Sequence, residues 1–257
     1  MKNKTMLQAH RGVSTDFPEN TMSAFEAAVE QGYDYIELDP AVTSDGQIVV
    51  LHDETLDRTA MCDDGSAPTQ GIKISDITYA DALRYDVGLW FGTEHKGQRI
   101  PLLSDVMQFA KNAGIPLKID NKIAHFDCKY RSEIIRMAKE YGNVGITCYD
   151  MDEVRYTLGI YPDAQIHYDG AVDDGVLDEL AQLVPEERLV VWLPYKCDLT
   201  WWVQVAYADE ELCTRVKQIA KLGIWIIEAD EHFADAVARF QPDIVETTGS
   251  VKPIVCS

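Results

Sequence analysis

The sequence predicts one α/β domain over residues 1–257, a single (β/α)8 TIM barrel with a small insertion after the second βα unit. Three observations predict it. The 257 residues match the roughly 250 of one such barrel. Short apolar runs alternate with longer amphipathic stretches, which implies parallel strands joined by helical crossovers. Gly and Pro are scattered, and no low-complexity stretch or linker divides the chain.

In order, Met6–Ala9 reads as the first strand and Thr21–Gln31 as a helix, with Asn20 placed to cap it and Gly32 to end it. Tyr33–Leu38 is the second strand. Gln47–Leu51 is a further extended segment, preceded by the turn Ser44-Asp45-Gly46. Residues from about 54 to 99 fit no βα unit and form the expected insertion. Ser104–Ala113 is then helical and Pro116–Asp120 extended. Arg131–Tyr141, Asp152–Gly159 and Gly175–Leu183 are helices, alternating with strands Val144–Cys148, Ala164–Tyr168 and Leu189–Leu193. Helix Glu210–Leu222, strand Ile224–Glu228, helix His232–Phe240 and strand Asp243–Thr247 complete eight units. Ten residues follow Thr247, little room for a full eighth helix.

The formal net charge of −20 argues against a nucleic-acid or anionic-membrane partner, since both repel an acidic surface. An anionic substrate would have to be held by local cations. No apolar run has the length of a signal peptide or a membrane span. The six cysteines (Cys62, Cys128, Cys148, Cys197, Cys213, Cys256) show no metal-ligand spacing. A cytoplasmic protein with free thiols is the expectation.

Functional side chains of such barrels gather at the C-terminal ends of the strands. Here those ends are charged. The first strand runs into His10-Arg11-Gly12, and the second ends in Glu37-Leu38-Asp39, whose period-2 geometry puts both carboxylates on one face. The extended segment ends in His52-Asp53, and the third barrel strand in Asp120-Asn121-Lys122. Together they offer hard oxygen ligands for Mg²⁺ or Ca²⁺ and two imidazoles that titrate near neutrality.

The stretch AHRG…PENTMSAF…GYDYIELDPAVTSDGQIVVLHDETLDRTA, continued by GLWFGTEHKGQRIPLLSDVMQFAKNAG and LKIDNK, resembles the glycerophosphodiester phosphodiesterase family. Nearly the first half of the chain carries the resemblance; the second half follows it mainly in its order of elements. The resemblance implies that His10 and His52 are paired catalytic histidines, and that Glu37, Asp39 and Asp120 hold a divalent metal, Mg²⁺ or Ca²⁺. It also places Arg11 and Lys122 near the substrate phosphate. The implied reaction is metal-dependent hydrolysis of a small-molecule glycerophosphodiester to glycerol 3-phosphate and an alcohol.

Three departures stand out. Asp120 replaces the family's usual Glu and is one methylene shorter; Pro40 follows Asp39; and the late strand ends read IWIIE and Glu246-Thr247-Thr248, where the family tends to have Trp-Thr and Thr-Asp. Trp90 and Phe91 in the insertion, and Trp201 and Trp202 after the sixth strand, either pack irregular loops or wall the leaving alcohol. Tyr195 and Lys196 are further pocket candidates. Competing functions are a phospholipase D-like lyase that stops at a cyclic phosphate, a phosphate-binding barrel without turnover, and a glycosidase. The glycosidase leaves His10, Arg11 and His52 without a role.

Overall fold

Eight parallel strands close on themselves in the computed structural model, which describes residues 4–195 and 207–253. The chain begins with β1 (Met6–Ala9), α1 (Met22–Glu30) and β2 (Tyr35–Leu38). The insertion follows within the second βα unit, between β2 and its helix, and begins at Pro40 rather than near residue 54, with β3 (Pro40–Val42), β4 (Ile48–Val50), β5 (Met61–Cys62), α2 (Tyr79–Ala82) and β6 (Tyr85–Asp86). The regular alternation resumes with α3 (Leu103–Ala113), β7 (Leu117–Ile119), α4 (Cys128–Tyr141), β8 (Val144–Cys148), α5 (Met151–Ile160) and β9 (Gln165–Tyr168). It continues with α6 (Asp174–Leu183), β10 (Leu189–Pro194), α7 (Glu210–Val216), β11 (Lys221–Trp225), α8 (Asp230–Phe240) and β12 (Ile244–Thr247). Around the barrel the order is β1, β2, β7, β8, β9, β10, β11, β12, and β12 pairs back onto β1 with Leu7 opposite Val245. Past β12 the described chain reaches residue 253 without another helix.

Much of the acidity has a local structural use. Asp127, Asp150, Asp173 and Asp209 each accept a backbone N–H of the first turn of α4, α5, α6 and α7. Such a cap contributes about 1 kcal/mol.

Strand alternation sorts side chains between two environments. Leu117 and Ile119 of β7 join the core under the helices, whereas Lys118 between them meets Glu246 of β12 at 2.9 Å inside the barrel. Gln8, Tyr35, His167 and Trp192 occupy the same interior, where Trp192 Nε1 donates to His167 Nδ1 at 3.0 Å. Gly223 of β11 makes room for Trp192, because a Cβ there would meet the indole at 2.4 Å. Gly223→Ala is therefore expected to cost about 1–3 kcal/mol of overpacking strain, read as a lower urea midpoint; unchanged stability would mean that Trp192 gives way freely.

The insertion has its own small core of Val49, Leu51, Leu56, Ile74, Val87 and Ile100, seated on the antiparallel β3–β4 pair. Pro40 starts β3, an edge position that needs no N–H, so it leaves the end of β2 intact.

Two further expectations require correction. α7 ends at Val216, not Leu222, and residues 221–225 form β11, so that strand begins three residues before Ile224. Apolar Leu212, Val216, Ile219 and Ala220 keep a helical period through the turn, which hid the boundary. The cap of α1 is Thr21, whose Oγ1 accepts from Ala24 N at 3.3 Å, not Asn20. Asn20 sits in the left-handed region at φ +57° and its amide serves the site described next.

Candidate active site

Directly after β1 the backbone reverses through Arg11 and Gly12, at φ +59° and +79°. A Cβ on Gly12 would lie 2.7 Å from the Ala24 backbone, so only glycine lets α1 approach this turn. The reversal turns the Arg11 N–H onto Glu37 Oε2 at 2.9 Å. His10 Nε2 lies 3.9 Å from the same oxygen. Burial lowers the His10 pKa to about 4, against the opposing pull of Glu246.

Glu37 ends up deeply buried, and Asp39 follows directly after β2. Asp39 Oδ2 accepts from Asn20 Nδ2 at 2.8 Å and faces Arg11 Nε at 3.3 Å, while Oδ1 accepts from Lys122 Nζ at 2.8 Å. Burial opposes ionisation of Asp39, but Lys122 and Arg11 outweigh it and hold the carboxyl well below the usual carboxylate range. Glu37 moves the other way, pushed well up by burial, then by Asp39 and Glu246. Asp120 follows β7 and caps the single-turn helix Asn121–His125, accepting from Lys122 N at 3.0 Å. That cap folds Lys122 back over the site, where Nζ also donates to the His52 carbonyl at 2.7 Å. Burial and Asp39 raise the Asp120 pKa.

Oxygens of Glu37, Asp39 and Asp120 lie within 4.8 Å of one another. Three crowded carboxylates, two of them destabilised as anions, form a donor set suited to a hard divalent cation. The shorter side chain of Asp120 still brings its oxygen into the group. His52 enters from the end of β4, with Nδ1 2.6 Å from Asp53 Oδ1.

All seven site residues expected from sequence (His10, Arg11, Glu37, Asp39, His52, Asp120 and Lys122) line one cavity of about 780 Å³ at the C-terminal end of the barrel. Trp225 and Glu246, noted in the sequence only as departures at late strand ends, line it too, as do Lys118, Tyr149 and Asp169, which sequence reasoning missed. Asp169 directly follows β9 and accepts from Asn121 Nδ2 at 2.9 Å. Burial pushes its pKa up to about 7, with Lys118 opposing. The strand-end rule that picked out Asp120 applies equally to Asp169.

Trp90 and Phe91 do not line this cavity; they pack edge to face at 5.6 Å, and Phe91 meets His95. Tyr195 donates its hydroxyl to Asp235 at 2.6 Å and is likewise absent from the cavity lining. Lys196, Trp201 and Trp202 lie outside the described residues.

Fold and site together define a TIM-barrel protein in which an acidic, cation-suited cluster faces imidazole and basic side chains across a single cavity. The sequence profile of the glycerophosphoryl diester phosphodiesterase family matches residues 10–171, more than half of the chain, and the chain belongs to that family. It is 39% identical over 140 residues to a glycerophosphodiester phosphodiesterase of Caldanaerobacter subterraneus subsp. tengcongensis, covering 54% of either chain. The chain spans about half the length of the curated relatives it matches. A glycerophosphoryl diester phosphodiesterase structure from Parabacteroides distasonis superposes with a TM-score of 0.74 at 21% identity, covering 100% of this chain and 90% of that one. An Oleispira antarctica phosphodiesterase, solved with its product sn-glycerol-3-phosphate, gives 0.72 at 20% identity, covering 95% and 93%. At such identities these two structures speak for the barrel alone.

Proposed function

We propose that this chain hydrolyses small glycerophosphodiesters to glycerol 3-phosphate and an alcohol. In this reading His10 and His52 act as paired acid–base groups, and Glu37, Asp39 and Asp120 hold Mg²⁺ or Ca²⁺. The observation that carries it is the meeting of both imidazoles, the three carboxylates, Arg11 and Lys122 in one cavity. Family membership supports the same reaction class.

When bound, the cation supplies charge neutralisation at the phosphate and acidifies the attacking hydroxyl. The protein's own groups do the rest. Against a net charge of −20, Arg11 and Lys122 give the anionic diester its local positive field. Lys122 commits two of its three N–H groups, to Asp39 and to the His52 carbonyl, which fixes the ammonium between the Asp39 carboxylate and the backbone of His52. One histidine takes the proton of the attacking hydroxyl and the other returns a proton to the leaving alkoxide, each transfer contributing about 10²–10⁴-fold. The attacking group is water or the neighbouring glycerol hydroxyl. The second route passes through a cyclic phosphate, at which the lyase reading would stop.

The test is release of glycerol 3-phosphate from glycerophosphocholine by metal-stripped protein, with and without added Mg²⁺ or Ca²⁺. Metal-dependent release is the expected result. A cyclic phosphate as final product would move the chain to the lyases, and no turnover of any glycerophosphodiester with either metal would overturn the proposal. Asp120→Glu lengthens one proposed ligand and is expected to alter the metal concentration that gives half-maximal rate; an unchanged value would remove Asp120 from the ligand set.

A further inference from the structure

A continuous run of charged contacts leads away from His52 into the insertion, and the chemistry proposed above makes no use of it. Asp53 Oδ1 lies against His52 Nδ1 at 2.6 Å. Arg58 grips the same carboxylate twice, Nε to Oδ2 at 2.7 Å and Nη2 to Oδ1 at 3.0 Å. Its guanidinium also reaches Glu19, with Nη1 to Oε2 and Nη2 to Oε1 both at 2.7 Å. Glu19 Oε1 in turn accepts from Arg11 Nη1 at 3.0 Å. One planar guanidinium thus braces the carboxylate behind His52 and the carboxylate behind Arg11.

We infer that Arg58 is a positioning residue that, through Asp53, fixes the Nδ1–H tautomer of His52 and, through Glu19, holds Arg11 in register with it. An ionised carboxylate only accepts hydrogen bonds, so Nδ1 must carry the proton wherever Asp53 is held against it. In the neutral imidazole Nε2 is then the bare ring nitrogen available to the cavity that His52 lines. Asp53 stays ionised: burial raises its pKa, but the bonds from Arg58 and His52 bring it to about 2. The full arrangement needs the fork of an arginine, because a lysine ammonium can donate to both carboxylates but cannot present parallel N–H pairs to them. Arg58 Cζ lies 6.0 Å from the centre of the Trp90 ring, which gives that insertion residue a place beside the brace. The kinetic consequence rests on the phosphodiesterase reading; the tautomer does not.

The experiment uses the full chain with ¹⁵N-labelled histidine, comparing wild type with Arg58→Ala, Arg58→Gln, Arg58→Lys and Asp53→Asn. Wild-type His52 is expected to show a protonated Nδ1 and bare Nε2, and Arg58→Ala an exchange between both tautomers. With glycerophosphocholine, kcat of Arg58→Ala should fall about 10²-fold, the scale of a roughly 1 Å misplacement, with KM little changed. Arg58→Lys should recover part of the loss, and guanidinium ion should recover part of it in Arg58→Ala, since the side chain is 43% exposed. An unchanged His52 tautomer in folded Arg58→Ala or Arg58→Gln overturns the inference. So does a loss of kcat that neither lysine nor guanidinium relieves, which would mark Arg58 as a purely structural residue. If wild type turns over no diester, the phosphodiesterase reading fails, and the tautomer comparison still decides the role of Arg58.

Discussion

His10→Ala and His52→Ala are each expected to lower kcat for a glycerophosphodiester by about 10²–10⁴-fold, the worth of one positioned proton transfer. Both proteins should remain folded. The His52 side chain is 31% exposed and that of His10 16%, so neither truncation opens a large core cavity. Far-UV circular dichroism and melting curves check the fold; initial rates at saturating substrate and metal check the chemistry. The double variant should lose less than the product of the two single losses, because acid and base serve one displacement and act as a unit. Near-native turnover in either single variant would remove that histidine from the mechanism. An effect on KM alone would make it a binding group.

Much of this site could be read from the chain, and the reason is geometric. In a parallel barrel every strand delivers its last residues to the same rim, so His10, Asp39 and Asp120 needed only correct strand ends to be brought together. His52 came with them because β4, though outside the barrel, runs antiparallel to β3 and returns the chain to the end of β2, where Leu51 N donates to the Asp39 carbonyl at 2.9 Å. Contacts that depend on closure were not legible. Lys118 reads as one polar residue inside an apolar strand, and nothing local says that its partner is Glu246, 128 positions away. Arg58 and Glu19 are 39 residues apart and meet only because the insertion folds back over the rim. The α7–β11 boundary failed for the opposite reason: its local pattern was consistent with helix, and pairing of Lys221 and Leu222 with Val190 and Val191 of β10 decided otherwise.

The largest stability effect is expected at Lys118 and Glu246. Their side chains are 6% and 4% exposed, joined at 2.9 Å, with the Lys118 ammonium 4.4 Å from the centre of the Trp192 ring. Glu246→Ala strands a buried ammonium, and Lys118→Met strands the Glu246 carboxylate, whose charge already acts on Glu37, the residue opposite Lys118 in the β2–β7 register. Each single change should cost about 3–5 kcal/mol, whereas replacing both by well-packed apolar residues should be neutral or stabilising by about 1–4 kcal/mol. Urea unfolding of both single variants and the double closes the cycle. The sign of the pH dependence follows from the shifts. Burial opposes ionisation of Glu246, but Lys118 and then His10 hold its pKa below the ordinary glutamate value. The stability it contributes is therefore present above that value and lost as pH falls through the depressed folded pKa. Lys118 is the mirror case: burial lowers its pKa, but Glu246 and Glu37 outweigh burial and raise it, so its contribution persists until strongly alkaline pH. Independent, additive losses in the cycle would show that the two charges do not depend on one another. Strong coupling would show that the two charges act as one unit in the interior of the barrel, level with Glu37 in the strand register.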